Sequence, residues 1–122
     1  MARILIVDDS EYFREIIHEI LSAEGHTIVG QAENGADAVA QYLALRPDIT
    51  TMDVTMPVMD GIEALRKIIE NDPDANVVMV SSSALSNKVS EALIIGAYAF
   101  LPKPFDKEKL VEVIAELAEA LV

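Results

Sequence analysis

The sequence predicts a three-layer α/β domain, (βα)5 in chain order, built on a five-stranded parallel sheet of order 2-1-3-4-5. Short β-branched runs alternate five times with longer segments of helical period. Several of these runs are apolar throughout, as strands covered on both faces must be. Strict alternation implies right-handed crossovers with helices on both faces of the sheet. Five strands in 122 residues, with no repeat, low-complexity tract or linker, favour this order over the other common doubly wound one. Its reversal of direction opens a crevice beyond the carboxyl ends of strands one and three.

The strands are expected at Ile4–Val7, Thr27–Ala32, Ile49–Met52, Val77–Ser81 and Ala99–Leu101. In the first helix Phe13, Ile16, Ile17, Ile20 and Leu21 recur at helical spacing and form one stripe, which Gly25 ends. The second carries Val39, Ala40, Leu43 and Ala44 before Pro47; the third carries Ile62, Leu65, Ile68 and Ile69 before Pro73. The fourth stops at Gly96, and the fifth uses Leu110, Val113, Ile114, Leu117 and Leu121. Residues 1–122 are therefore expected to form one domain, with no second domain after the fifth helix.

Composition narrows the function. At this length folding removes roughly two-thirds of the unfolded chain's surface from water, enough for a core without disulfide or structural zinc. The absence of cysteine excludes thiol chemistry. The longest apolar stretch, from Ala92 to Pro102, is far short of the roughly 18 residues of a membrane span. Four strongly apolar residues before Asp8 make no secretory signal. A soluble cytoplasmic protein without membrane contact is expected. Nine basic against 21 acidic residues give a net charge of −12, which repels a phosphate backbone and argues against direct nucleic-acid binding. The same charge suits divalent metals and cationic partners, or is simply a solvated acidic face.

The residues at the strand ends locate the chemistry. Asp8 and Asp9 come after strand one, Asp53 after strand three, Ser81 ends strand four ahead of Ser82 and Ser83, and Lys103-Pro104 comes after strand five. Singly, each has an ordinary reading: a helix cap for Asp8, Asp9 or Ser10, a loop acid, a strand-end hydroxyl, a turn. Four strand ends facing one crevice outweigh those readings together. Carboxylates crowded at one mouth either hold a proton or bind a cation. An all-oxygen set points to a hard ion, and Mg²⁺ fits best. His18 and His26 fall outside the crevice and are expected to be surface or packing residues. With the acids neutralised and Lys103 adding positive charge, one carboxylate can attack a phosphoryl group; Asp53, central between the strand-one acids and the strand-four hydroxyls, is the candidate. A phosphoryl group adds about −2 charge, enough to reorder a loop.

Ile4-Leu5-Ile6-Val7-Asp8-Asp9-Ser10, Met52-Asp53-Val54-Thr55-Met56-Pro57 with Asp60-Gly61, and Gly96-Ala97 leading to Lys103-Pro104-Phe105 resemble the receiver domain of two-component response regulators. The likeness spans the whole chain, which is most similar to the single-domain chemotaxis members of that flavodoxin-like family. The resemblance implies that Asp53 accepts the phosphoryl group of a histidine kinase's phosphohistidine, or of a small phosphodonor, and later loses it. It implies that Asp9 and Asp53 ligate Mg²⁺ directly, with the backbone carbonyl of Thr55 as a third ligand and Asp8 acting through water. Lys103, ahead of a cis peptide bond to Pro104, would pair with Asp53 and then with the phosphoryl group. Ser81 would be the switch hydroxyl and Phe100 the switch aromatic. Readout would lie on the fourth helix, fifth strand and fifth helix, toward a downstream target such as a flagellar motor switch protein. The protein would be a monomer that can dimerise through that face when phosphorylated.

Departures from the family pattern also matter. Phe100 stands where many members have Tyr, so it can report burial but no hydrogen bond; Tyr98 shares its strand parity. Pro102 suits an edge strand. Thr55 and Ser83, two beyond Asp53 and Ser81, are neither acid nor amide and leave the phosphoryl lifetime open. The alternatives are a receiver from a longer DNA-binding regulator, a phosphorelay intermediate or phosphate sink, and a Mg²⁺-dependent aspartyl-phosphate phosphatase. The last needs a second Asp where Thr55 stands. A flavin binder would need a Ser/Thr/Gly-rich phosphate cradle after strand one, where Asp8-Asp9 stand.

Overall fold

The computed structural model describes residues 1–82 and 86–121. Its elements are β1 (Arg3–Val7), α1 (Glu11–Ala23), β2 (Thr27–Ala32), α2 (Gly35–Leu45), β3 (Ile49–Met52), α3 (Gly61–Asn71), β4 (Val77–Ser81), α4 (Ser86–Ile95), β5 (Ala99–Pro102) and α5 (Lys107–Ala120). The strands form one parallel sheet in the order β2-β1-β3-β4-β5. Fold class and strand order are those expected; β1 and β5 each run one residue further than the sequence suggests.

Alternation along the strands splits the core in two. Ile4 and Ile6 of β1, with Val78 and Val80 of β4, face Ile17 and Leu21 of α1 and Leu110, Ile114 and Leu117 of α5. Leu5, Val7, Val77 and Met79 face the other way, toward Ala38 and Tyr42 of α2, Leu65 and Ile68 of α3 and Ala92 of α4. Among the described residues no helix is long and apolar enough to cross a membrane.

Two helix faces differ from expectation. In α2 the buried positions are Gly35, Ala38 and Tyr42, with Val39 half-buried, while Ala40, Leu43 and Ala44 are exposed. The helix is apolar at most positions, so its sequence fixes no phase. Tyr42 takes the inner place because its hydroxyl finds the Asp72 carboxylate at 2.7 Å. In α5 Ala118 is buried, and Leu121, past the helix end, is exposed. Gly25 (φ +89°) follows α1 and Gly96 (φ +137°) follows α4, both as expected of residues free to adopt left-handed backbone.

Candidate functional site

Four strand ends deliver the site. Asp8 leaves β1 with its N–H on the Ala32 carbonyl and its side chain buried. Its Oδ1 accepts the Ser10 N–H at 2.9 Å, and Arg14 Nη1 donates to its carbonyl at 2.6 Å. Ser10 caps α1, accepting the Phe13 N–H on Oγ at 3.3 Å. With the cap taken by Ser10, the carboxylates of Asp8 and Asp9 are left to the crevice. Asp53 leaves β3 with its N–H on Val7, and its Oδ1 accepts the Val54 N–H at 2.7 Å. Behind it α3 begins flush: a Cβ on Gly61 would stand 1.9 Å from the Asp53 carbonyl oxygen. Lys103 leaves β5 with its N–H on Ser81, and its bond to Pro104 is cis.

These side chains meet. The Lys103 Nζ lies 2.5 Å from Asp8 Oδ2 and 3.2 Å from Asp53 Oδ2, with 6% of the lysine side chain exposed. The expected Lys103–Asp53 pair is present, but Asp8 is the nearer partner. Nζ also lies 4.2 Å from the centroid of the Phe13 ring. Carboxylate oxygens of Asp8, Asp9 and Asp53 come within 4.8 Å of one another. An open cavity of about 450 Å³ is lined by Asp9, Asp53, Thr55, Ser82, Lys103 and Phe13, among others. Burial pushes the Asp8 carboxyl above the ordinary Asp range against the pull of the Lys103 hydrogen bond, and the neighbouring Asp53 charge adds to the rise. Three carboxylates against one ammonium leave the pocket negative, and its donors are all oxygen. That set fits a hard divalent cation.

Ser81 is buried at the end of β4, opposite Pro102 in register; Ser82, not Ser81, lines the cavity. Ser83 lies outside the described residues. Phe100 is half-buried against the core on the α2, α3 and α4 side. Tyr98, just before β5 and 47% exposed, donates its hydroxyl to Glu116 of α5 at 2.9 Å. His18 meets the Ser22 hydroxyl and His26 accepts the Ala2 N–H, both away from the cavity. Phe13 is the site neighbour that the sequence assigned elsewhere. It heads an apolar stripe, and only its place three residues after a capping serine hints that its ring turns toward the crevice.

Comparison with known proteins gives a consistent result. The family model of the response regulator receiver domain matches residues 4–115. Protein CcdB of Bacillus subtilis is 43% identical over 117 residues, 96% of this chain and 98% of that protein. Chemotaxis protein CheY of Thermotoga maritima is 39% identical over 117 residues, again 96% and 98%. The crystal structure of the CheX-CheY-BeF3-Mg+2 complex from Borrelia burgdorferi superposes with a TM-score of 0.91 at 38% identity, covering 94% of this chain and 87% of that one. With its strand order, its acidic strand ends and nearly its whole length matched, this chain belongs to the response regulator receiver domain family of two-component systems, among CheY-like relatives.

Proposed function

We propose that residues 1–122 act as one phosphoacceptor domain in the cytoplasm, in which Asp53 takes the phosphoryl group of a histidine kinase's phosphohistidine. One observation carries the choice of Asp53. Of the three acids it alone both lines the cavity and contacts Lys103; Asp8 is buried beneath, and Asp9 stands exposed at the rim. In the transfer an Asp53 carboxylate oxygen bonds to phosphorus as the P–N bond breaks, and the electron pair leaves with the imidazole nitrogen. Lys103 holds Asp53 in place beforehand and meets the added negative charge afterwards. Asp9, Asp53 and the Thr55 carbonyl would hold Mg²⁺ directly and Asp8 through water; when bound, the ion offsets the mutual repulsion of the acids and the charge of the transferring group. The domain is a signalling acceptor, with self-phosphorylation from small donors and self-dephosphorylation as its only chemistry.

The phosphorylated state is read through Ser81, Phe100 and the face of α4, β5 and α5, where Leu93 and Ile94 are exposed. A chemotaxis target such as a flagellar motor switch protein fits the relatives. Acetyl phosphate with Mg²⁺ is expected to label the protein once, as an acyl phosphate, and Asp53→Asn to take no label. Equal labelling of that variant overturns the assignment.

A further inference from the structure

We infer that Phe13 is a positioning residue for Lys103, its ring face holding the ammonium in the site by a cation–π contact; the inference rests on the reading of Asp53 as phosphoacceptor. The lysine side chain is 6% exposed, so its ammonium has little water to fall back on. Asp8 and Asp53 are its hydrogen-bond partners among the described residues, and the ring face lies 4.2 Å from Nζ. That distance is well inside the range over which an aromatic face attracts a cation.

The ring itself has two aromatic neighbours among the described residues. Tyr12 meets it edge-on at 5.5 Å, and Phe105, on the stretch between β5 and α5, lies 6.5 Å away. Its backbone N–H is fixed by the Ser10 cap. The ring therefore forms a common wall between the acidic cavity and an apolar groove of about 330 Å³ on the flank of α1.

A neutral partner does what a carboxylate cannot. The attraction Lys103 feels from Asp8 and Asp53 changes when a cation binds those acids or when Asp53 becomes an acyl phosphate. The quadrupole of the ring is the same in every state, and it adds no negative charge to repel an incoming phosphoryl group. An aliphatic residue in that place would keep the packing and lose the attraction.

The test uses the full chain with acetyl phosphate and Mg²⁺, in Phe13→Leu, which removes the π face, and Phe13→Tyr, which keeps it. Urea midpoints accompany each variant, and Phe13→Met replaces the leucine variant should that one not fold. The π-free variant is expected to lower the maximal labelling rate by about three- to tenfold with little change in the donor concentration for half-saturation. It should also lose the ring-current shift of the Lys103 Hε protons in NMR spectra. Phe13→Tyr should label within about twofold of the parent and keep that shift. A π-free variant labelled at the parental rate, or a tyrosine variant as slow as it, overturns the inference. Failure of the parent to label overturns the reading of Asp53 instead. The lysine resonance then decides the placement of the ring: lost without the π face and kept with tyrosine upholds it, and unmoved in both overturns it.

Discussion

Asp9 is exposed, yet its carboxylate reaches the buried pair Asp8 and Asp53 within 4.8 Å. Its removal should therefore leave the fold intact and strip a ligand: Asp9→Ala is expected to weaken Mg²⁺ binding by about 10- to 100-fold by calorimetric titration, with unchanged circular dichroism. A second prediction concerns β3, where the Oγ1 atoms of Thr50 and Thr51 are buried without a hydrogen-bond partner among the described residues. Thr51→Val keeps the shape and removes the unsatisfied hydroxyl. Its unfolding free energy, from urea titration, should match the parent's or rise by up to about 1 kcal/mol. The acids and Lys103 were legible in the sequence because charged residues that punctuate apolar strands have few other places to go. The Lys103–Asp8 contact was not, since strand ends give neighbourhood but not the order of distances. Phe13 was hidden for another reason: periodicity assigns a helix residue to a face and says nothing about what lies over that face.

Among the elements, α3 packs directly against the backbone that carries Asp53. The missing Cβ of Gly61 lets its first turn touch the backbone of Asp53, so Gly61→Ala must push the two apart. A loss of about 3 kcal/mol or more in urea unfolding is expected, together with impaired labelling, because the displaced segment carries Asp53. The turn between α1 and β2 supplies a pH prediction. His26 accepts the Ala2 N–H at 3.1 Å, and burial, then the Met1 ammonium, hold its pKa below the ordinary imidazole value of 6.5. Below that value the unfolded chain binds a proton that the native state refuses. Stability is full above about pH 6.5 and declines as the pH falls toward the lowered native pKa. The drop in urea midpoint from pH 7.5 to 5.5 should be smaller in His26→Gln. Helix existence and order were legible throughout; the face of α2 was not, because a helix apolar at most positions carries a weak amphipathic phase, and Tyr42 is fixed inward by its hydrogen bond to Asp72.

At the scale of the molecule, one sheet is shared by two apolar layers, with Leu65 of α3 fully buried on one side and Ile114 of α5 on the other. Leu65→Ala and Ile114→Ala should each cost about 2–5 kcal/mol, and the double variant should lose nearly their sum, since the two sites lie on opposite faces. Unfolding monitored by far-ultraviolet circular dichroism checks both. The architecture was readable because alternation and length leave few alternatives for five βα units. The bond between Lys103 and Asp8 joins residues 95 positions apart, one from each end of that alternation. A chain interrupted part-way through folding, or with its last strand detached, brings no cation to the acids. Under the proposed reading, acceptance of a phosphoryl group would thus double as a checksum on completed assembly, with a half-made copy staying silent.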